Sequence, residues 1–401
     1  MRVALFSPVW FPVPPDGYGG VETIVHSLAD GLADAGVDVT LFASGDSKTR
    51  ATLVSAFDTA PTERLGETFW ELTHAASLLE RVEAFDLVHD HSGLMGLTLF
   101  GLTPTPLVHT VHGPLTGEPG ALYDRICGVV PDAALVSLTL RQRQPKPHLN
   151  WVANVHNGID VSRFPFAREP EDFLLFLGRM SPDKGAHVAI EVARRTGRPL
   201  KIAAKCREPG ERAYFEREIA PHLDRGDVEY LGEVGYDAKC RLLRTAHALI
   251  APILWEEPFG LAFVESLACG TPVVASARGS VPELIRHGET GFVARSFDDL
   301  VRGVNEVGRL DPAELRREAE DRFSASLMVR RTLELYTELI EGRAPAQAGT
   351  VRRLRATRPT SAPPARRLAR RRAPGTALLR LLRAAHGRVA RARRHGPRGH
   401  G

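Results

Sequence analysis

Short, continuous runs of apolar residues alternate along this chain with longer segments in which apolar residues recur every three or four positions. The first run covers residues 3–7, and a segment with the longer spacing follows at residues 21–32. Short continuous runs are typical of buried strands, whereas the longer spacing is typical of one face of a helix. The chain therefore begins with a predicted strand and a predicted helix.

This alternation continues, and it restarts after a connector rich in Pro and charged residues at 163–172. Apolar runs precede the connector at residues 37–43, 86–89, 106–112, 134–138 and 151–155, and follow it at residues 173–177, 200–204, 228–231, 248–254 and 272–275. Helical spacing recurs at residues 69–82, 186–195, 297–307, 312–322 and 327–340. Strands that alternate with helices predict an α/β protein with parallel sheets.

Two such series predict two parallel-sheet domains that face each other across a cleft. We place the first domain at residues 1–165 and the second at residues 166–325. A final helix at residues 326–342 is expected to pack back toward the first domain. Residues 343–401 are mainly Arg, Ala, Pro and Gly, with too few apolar residues to bury a core, and are predicted to be a disordered tail.

The net charge of +4 hides an uneven distribution of charge. Residues 343–401 hold 17 of the 52 Lys and Arg residues and no Asp or Glu, so 35 basic and 48 acidic residues remain in the rest of the chain. That acidic body argues against nucleic acid as a partner. The basic tail, with a short amphipathic segment at 378–389, suggests either peripheral contact with an anionic membrane surface or a non-functional extension.

Cysteine usage and apolar stretches indicate the compartment. The four cysteines form neither a Cys-x-x-Cys pair nor a zinc spacing, which favours a reducing cytosol over a disulfide-bonded secreted protein. The apolar N-terminus is too short for a signal peptide, and the uncharged stretch at 92–108 is too short and too interrupted to span a membrane. We expect a cytoplasmic protein, with any membrane contact peripheral and at the inner face.

Two carboxylates lie close together in a predicted strand-turn-helix unit: Glu257 in the turn after the apolar run at 248–254, and Glu265 about one helical turn or more inside the following helix. Free backbone N–H groups at that helix start would stabilise an anion, and they belong to Phe259, Gly260 and Leu261. An anion site between two acids suits a ligand with phosphate and hydroxyl-rich parts, such as a sugar nucleotide. A Glu near a helix start can equally be a simple charge–dipole pairing, so the spacing alone leaves both interpretations open.

Other residues at the predicted carboxyl ends of strands support the ligand hypothesis. Gly19 and Gly20 lie in a strand-to-helix loop, where they let a ligand approach the backbone closely. Arg179 and Lys184 share another such loop and would suit a diphosphate, although solvated surface cations are also common there. His112 ends a further strand, at the sheet edge where open α/β sheets bind ligands.

Metal and dinucleotide sites are not favoured. We interpret His89-Asp90-His91 as a polar strand terminus rather than a metal site, because neighbouring strand residues point to opposite faces. His109 is expected to be structural. The first glycine loop is not Gly-x-Gly-x-x-Gly, and no acid follows the second strand directly, which argues against a nicotinamide-binding domain.

Five ordered motifs resemble those of the family 4 glycosyltransferases, whose fold is GT-B, over about residues 1–340. They are Gly19-Gly20-Val21-Glu22, Asn157-Gly158-Ile159-Asp160, Gly178-Arg179 with Lys184-Gly185, Glu257-Pro258-Phe259-Gly260-Leu261 through Glu265, and Gly279-Ser280-Val281-Pro282-Glu283. Residues 17–20 and 254–260 look like the avilamycin-pathway branch of the family. Ser266 stands where Ala is usual. The resemblance implies two Rossmann-like domains.

The resemblance also implies how the donor diphosphate is bound. The cations would be Arg179 and Lys184. Backbone groups would assist them, and these belong to Gly19, Gly20, Phe259, Gly260 and Leu261.

The same resemblance assigns the rest of the donor. Glu265 would accept hydrogen bonds from the ribose, and the base would lie near Val234. Glu257 would bind hydroxyls of the transferred sugar, with His112 beside the reacting centre. His112, Glu257 and the two cations are the implied catalytic groups, and no metal is implied.

The implied function is the retaining, metal-independent transfer of a hexose-type sugar from a nucleotide diphosphate sugar to an acceptor hydroxyl. We expect a UDP-sugar, which is a co-substrate, and no cofactor. A small-molecule, glycan or lipid-linked acceptor would bind predicted loops at residues 10–18, 94–102 and 115–121. Two alternatives remain open: a GT-B sugar-nucleotide 2-epimerase, and an inactive nucleotide-sugar-binding protein.

Overall fold

Two parallel sheets organise the molecule, whose computed structural model describes residues 1–166 and 170–342. The first sheet contains β1 (Arg2–Phe6), β2 (Asp38–Phe42), β3 (Thr52–Val54), β4 (Leu87–Asp90), β5 (Leu107–Thr110), β6 (Ala134–Ser137) and β7 (Trp151–Asn154). The second contains β8 (Leu174–Arg179), β9 (Leu200–Lys205), β10 (Val228–Gly232), β11 (Ala248–Ala251), β12 (Val273–Ser276) and β13 (Gly291–Ala294). The α/β class with two parallel sheets is therefore confirmed.

Helices connect the strands and cover both faces of each sheet. They are α1 (Gly20–Asp34), α2 (Thr68–Leu79), α3 (Leu94–Gly101), α4 (Gly117–Val129), α5 (Ala186–Thr196), α6 (Pro209–Glu218), α7 (Tyr236–Thr245), α8 (Leu261–Ala268), α9 (Val281–Leu284), α10 (Phe297–Glu306), α11 (Pro312–Phe323) and α12 (Ala325–Ile340). Because both sheet faces are covered, strand residues such as those of β4, β5 and β11 are buried throughout. This explains why the strands are continuous apolar runs rather than alternating ones.

Strand order determines where a ligand can bind. The orders are β3-β2-β1-β4-β5-β6-β7 and β10-β9-β8-β11-β12-β13, so the direction of winding reverses next to β1 in one sheet and next to β8 in the other. A crevice opens at the carboxyl ends of the strands at such a reversal. The loops after β1, β4, β8 and β11 are therefore the loops best placed to form a site.

Two predicted loops are wrong in part. Residues 94–101 form α3, and residues 117–121 form the start of α4. Residues 94–102 were expected to form an acceptor loop, but Leu97 and Phe100 are fully buried, so packing stabilises a helix there. Strand β3 and the start of β13 at Gly291 were also not predicted.

The last helix, α12, contacts the first domain. Gly31 of α1 lies so close to Val329 of α12 that no side chain would fit between them. Tyr336 of α12 is fully buried and forms a hydrogen bond of 2.6 Å with His89 of β4. The chain therefore returns to the first sheet after completing the second.

Two predictions concern residues that lie outside the described part of the chain. These are the disordered basic tail at 343–401 and the amphipathic segment within it at 378–389. Within residues 1–166 and 170–342, no helix combines the length and the hydropathy that crossing a membrane requires.

Candidate active site

A cavity of about 980 Å³, including its open mouth, lies where the carboxyl edges of the two sheets face each other. Tyr18, Gly20 and His112 line it from the first domain. Lys184 and Glu257 line it from the second domain, together with the backbone turn at residues 258–261. The predicted cleft therefore exists, and residues from four separate loops meet in it.

The turn at the centre of this cavity is built by three consecutive residues. Pro258 cannot continue a strand ladder because it lacks an N–H group. Phe259 is fully buried and anchors the turn, and Gly260 caps α8 with φ of 88°. A side chain at Gly260 would collide with the Phe263 ring, and its positive φ also favours glycine. The start of α8, where the first N–H groups of a helix lack partners within the helix, therefore lies at the cavity wall.

Glu257 is held by two neighbours on the second domain. It forms an ion pair with Lys184, and it accepts a hydrogen bond of 3.2 Å from the indole N–H of Trp255. The Lys184 ammonium lies 4.7 Å from the centre of the Trp255 ring, a cation–π distance. Trp255 was not predicted to take part, although it stands only two residues before Glu257. These contacts fix Lys184 and Glu257 side by side at the cavity wall.

Glu265 lies one helical turn inside α8 and is only 6% exposed. Lys239 of α7 donates a hydrogen bond of 2.6 Å to its carboxylate. Glu265 does not line the cavity itself, so it lies behind the helix start. Sequence reasoning missed Lys239, because 26 residues separate the two partners and no local pattern links them.

Arg179 ends β8 beside the cavity and does not line it. Its guanidinium lies 3.7 Å from Asp183, and about a third of the side chain is exposed. Arg179 also lies near enough to Tyr18 to lower the pKa of that phenol, although burial has the larger and opposite effect, so the pKa is raised overall. Arg179 therefore stands at the rim of the cavity, where part of its side chain remains exposed.

The predicted position for the base lies at the end of β10. Val234 is partly buried against the core of the second domain and does not line the cavity. Its neighbour Glu233 accepts a hydrogen bond of 3.0 Å from the backbone N–H of Tyr18 and one of 2.8 Å from Arg207. The glycine loop of the first domain thus contacts the second domain directly at this point.

The glycine loop itself leads into α1. Gly19 precedes the helix with φ of 153°, and a Cβ on Gly20 would lie 3.3 Å from Leu261 of the second domain. Glu22 in the first turn is 4% exposed, and burial raises its pKa to about 7. No ion pair or hydrogen bond from another side chain reaches Glu22 within the described residues. The loop therefore brings backbone, rather than positive charge, to the cavity.

The histidines at the ends of β4 and β5 form a buried group. His112, at the cavity, forms a hydrogen bond of 2.8 Å with His91, and His89 forms one of 2.7 Å with Thr110. Burial lowers the pKa of His112 and of His89 to about 3, so both rings are neutral near pH 7. His109 lies apart from this group. It is fully buried between Asp90 and Tyr123, at 2.7 and 3.0 Å.

Within residues 1–166 and 170–342, no cluster of three or more His, Cys, Asp or Glu residues has the arrangement of a metal site. In the group formed by His89, His91 and His112, both nitrogens of His89 and one nitrogen each of His91 and His112 form hydrogen bonds to neighbouring side chains.

The two remaining motifs join the domains. Glu283 of α9 accepts hydrogen bonds of 3.0 Å from the backbone N–H groups of Leu140 and Arg141, and its carboxylate lies 3.2 Å from His156. Arg141 in turn donates to the carbonyl of Gly279 at 2.8 Å. Asn157, in the motif before the connector, lines the cavity. These motifs therefore have two roles: they position the two domains relative to each other, and they border the site.

The predicted site residues fall into two groups. Those that line the one cavity are Gly20, His112, Lys184, Glu257, Phe259, Gly260 and Leu261. Those that lie beside or behind it are Gly19, Arg179, Val234 and Glu265. The structure adds Trp255 and Lys239, which had no predicted role, and it places Tyr18, Asn157 and His91 at or next to the donor-side cavity.

Family comparisons agree with this architecture. Residues 18–163 match the model of Glycosyltransferase Family 4, and residues 159–322 match the model of Glycosyl transferases group 1. Together the two matches span both domains and well over half of the chain.

Curated relatives match across both domains. A D-inositol 3-phosphate glycosyltransferase of Pseudarthrobacter chlorophenolicus is 27% identical, over 73% of this chain and 83% of its own length. A glycogen synthase of Mycobacterium tuberculosis is 28% identical, over 80% of this chain and 88% of its own length.

Solved structures show the same fold. AviGT4, a glycosyltransferase involved in avilamycin A biosynthesis, is 26% identical with a TM-score of 0.64, and the match covers 85% of this chain and 98% of that one. HepE of Anabaena, solved in complex with UDP-glucose, has a TM-score of 0.65 over 84% of this chain and all of its own. HepE is only 17% identical, so it supports the fold alone. This chain is a glycosyltransferase of family 4 with the GT-B fold.

Proposed function

We propose that this protein moves a hexose-type sugar from a UDP-sugar to an acceptor hydroxyl, with retention of the anomeric configuration and without a metal ion. One observation carries the proposal. Lys184, the start of α8 and Glu257 meet on one wall of a cavity whose opposite wall carries His112. An ammonium and free helix N–H groups suit a diphosphate, and a carboxylate with an imidazole suits sugar hydroxyls.

The charges at the site support a reaction that depends on stabilising the leaving group. When the bond between the anomeric carbon and the diphosphate breaks, negative charge grows on the phosphate oxygens. Lys184 and the start of α8 would stabilise that charge from the cavity wall, and Arg179 would do so from the rim. The acceptor oxygen would then bond to the anomeric carbon on the same face, and its proton would pass to the departing phosphate oxygen.

The pairing of the two carboxylates supports metal independence. Glu257 is bonded to Lys184 and Glu265 to Lys239, so each acid already has a cationic partner. A divalent cation would have to displace these ammonium groups to reach either carboxylate. Neutralisation of the diphosphate is therefore assigned to Lys184 and Arg179.

The donor can be identified by thermal stabilisation. We expect a UDP-sugar to raise the melting temperature more than guanosine-, adenosine- or thymidine-diphosphate sugars, because a ligand bound only by the folded state stabilises it. The stabilising donor is then incubated with candidate acceptors, with and without EDTA, and the linkage of the product is determined by NMR. An inverted linkage would overturn retention, and loss of turnover in EDTA would overturn metal independence.

Single substitutions test the site. Lys184→Ala, Arg179→Ala and Glu265→Ala should each lower kcat by roughly a hundred- to a thousandfold while the fold persists. Arg217→Ala, which removes an exposed cation on α6 away from the cavity, is the matched control. Near-normal turnover in all three site variants would refute the assignment.

Two other outcomes would replace the proposed reaction. Epimerisation of the donor sugar in the absence of any acceptor would indicate a 2-epimerase. Tight donor binding with neither transfer nor hydrolysis would indicate a nucleotide-sugar-binding protein.

A further inference from the structure

His91 follows β4 directly and lies behind His112, away from the cavity. It is 3% exposed, and its Nδ1 lies 2.8 Å from Nε2 of His112. Its ring also packs against His89, with ring centres 4.2 Å apart. His89 is fixed at both nitrogens, to Tyr336 at 2.6 Å and to Thr110 at 2.7 Å. His91 is therefore held in place, and within residues 1–166 and 170–342 it in turn makes the one side-chain hydrogen bond of His112.

The second nitrogen of His91 determines the direction of that bond. Nε2 of His91 is buried and has no hydrogen-bond partner among the protein atoms of the described part of the chain. If His112 donated to His91, then Nε2 of His91 would carry a proton and would be a buried, unsatisfied N–H group. If His91 donates, its Nε2 is only an unsatisfied lone pair. Orphaned buried donors are rarer than under-satisfied acceptors, so donation from His91 is favoured.

This direction has a consequence at the cavity. A neutral imidazole has one N–H group and one acceptor nitrogen, and the bond made by one nitrogen sets the state of the other. With Nε2 of His112 accepting from His91, Nδ1 of His112 must carry the proton. Nδ1 makes no hydrogen bond recorded within residues 1–166 and 170–342, and His112 lines the cavity.

We propose that His91 is a positioning residue that holds His112 as its Nδ1–H tautomer, so that His112 donates a hydrogen bond to an oxygen of the transferred sugar. This inference rests on the proposed function, since it places the donor sugar beside His112. It goes beyond that function because it assigns a role to His91 and makes His112 the donor in its hydrogen bond to the sugar. Without His91, the His112 ring would be free to rotate and to adopt the other tautomer.

The first test reads the tautomer directly and needs no activity. The protein is labelled with ¹⁵N at histidine, and the imidazole signals of His112 are assigned by their absence in His112→Ala. In the wild type we expect Nδ1 of His112 to be protonated and its Nε2 to be unprotonated. We expect the same pattern in His91→Asn, whose side-chain amide nitrogen lies near the position of Nδ1. In His91→Leu we expect His112 to shift toward the Nε2–H form. A protonated Nε2 in the wild type would overturn the proposal.

The second test measures transfer with the donor identified above. His91→Leu should lower kcat/KM by up to about a hundredfold, the loss expected when a reacting group is misplaced, whereas His91→Asn should keep most of the rate. His91→Gln, whose amide nitrogen lies near the position of Nε2 instead, should resemble His91→Leu. Melting temperatures are measured alongside, so that a loss of fold is recognised.

A double-substitution cycle separates positioning from general packing. If His91 acts through His112, then His91→Leu/His112→Ala should turn over no more slowly than His112→Ala alone. Additive losses would show that His91 acts independently of His112 and would overturn the proposal. Failure of the wild type to bind or turn over any nucleotide sugar would instead refute the proposed function, while the tautomer measurement would still stand.

Discussion

Each of the two predicted carboxylates of the site has a cationic partner, although both carboxylates stand near the start of α8. Glu257 is bonded to Lys184, and Glu265 to Lys239. An unpaired carboxylate at either position would repel a diphosphate and would be costly to bury. Both acids are therefore halves of ion pairs, and of the two it is Glu257 that also lines the cavity.

Removing Lys239 should affect binding through Glu265. Lys239→Ala leaves the buried Glu265 carboxylate without its ammonium partner, which should cost about 2 kcal/mol of stability. It should also weaken donor binding, because the carboxylate loses the group that fixes its orientation. Calorimetric titration with the donor and thermal melting measure the two effects. In a Glu265→Gln background, Lys239→Ala should have much less effect on the melting temperature, and an unchanged effect would contradict the coupling.

The buried Glu22 should make stability depend on pH. Its pKa is raised to about 7 by burial, from an ordinary value of 4.5. The unfolded chain therefore releases this proton at lower pH than the folded protein does, so stability falls between about pH 4.5 and pH 7. At pH 8 the ionised, buried Glu22 lowers the free energy of unfolding, so Glu22→Gln should raise that free energy by up to about 3 kcal/mol. At pH 4.5 the substitution should have little effect.

Thermal melting at the two pH values measures the Glu22 effect. Glu63→Gln, which neutralises an exposed acid, serves as the control and should change the melting temperature little at either pH. An equal change for Glu22→Gln at pH 4.5 and pH 8 would show that ionisation is not the cause.

At the scale of elements, loop backbones rather than side chains determine the shape of the cavity. The turn before α8 and the loop before α9 touch each other, since Gly279 lies directly against the backbone of Glu257. Ser280 also donates a hydrogen bond of 2.8 Å from its backbone N–H to the carbonyl of Glu257. Because the two loops are in direct contact, the position of Glu257 depends on Gly279, which lies 22 positions later in the chain.

A methyl group at Gly279 should disturb the donor site from outside it. Gly279→Ala would force the backbone of Glu257 away, and its positive φ of 49° adds strain for a non-glycine residue. We expect a lower melting temperature and weaker donor binding. Gly308→Ala, at a glycine with open space around it and no positive φ, is the control. Equal donor affinity in wild type and Gly279→Ala would show that the contact is unimportant for the site.

The whole molecule is held together across the cleft at its two ends. At one end Glu283 of the second domain binds backbone N–H groups of Leu140 and Arg141. At the other end Tyr18 of the first domain donates to Glu233 of the second, and the Lys205 ammonium lies 5.0 Å from the Tyr18 ring. The contact at Tyr18 lies on the glycine loop that borders the cavity, so it joins the two domains next to the site.

Loss of the Glu233 contact should let the domains separate. Glu233→Ala removes the acceptor for the backbone N–H of Tyr18, so the ligand-free protein should show a larger radius of gyration in small-angle X-ray scattering. Glu229→Ala, at an exposed position on the same strand, is the control. Indistinguishable scattering of the two variants would show that the contact does not hold the cleft.

Sequence patterns determined much of this protein. Buried strands appear in the sequence as apolar runs because both faces of each sheet are covered. Glycine and proline mark turns because glycine readily adopts a positive φ, whereas proline has no N–H group to continue a strand or helix. Gly260 and Pro258 are examples, and they placed the start of α8 correctly. Where burial rather than periodicity stabilises an element, as in α3, the pattern was insufficient.

Only the tertiary structure decided which side chains meet. Lys239 and Glu265, Tyr18 and Glu233, and His91 and His112 are separated by 26, 215 and 21 residues. Such pairs depend on how strands are ordered in each sheet and on how the two sheets face each other, and no local spacing encodes either. The chemistry available at the cleft could be predicted from the residue types on its loops, but the partner that holds each group in place could not.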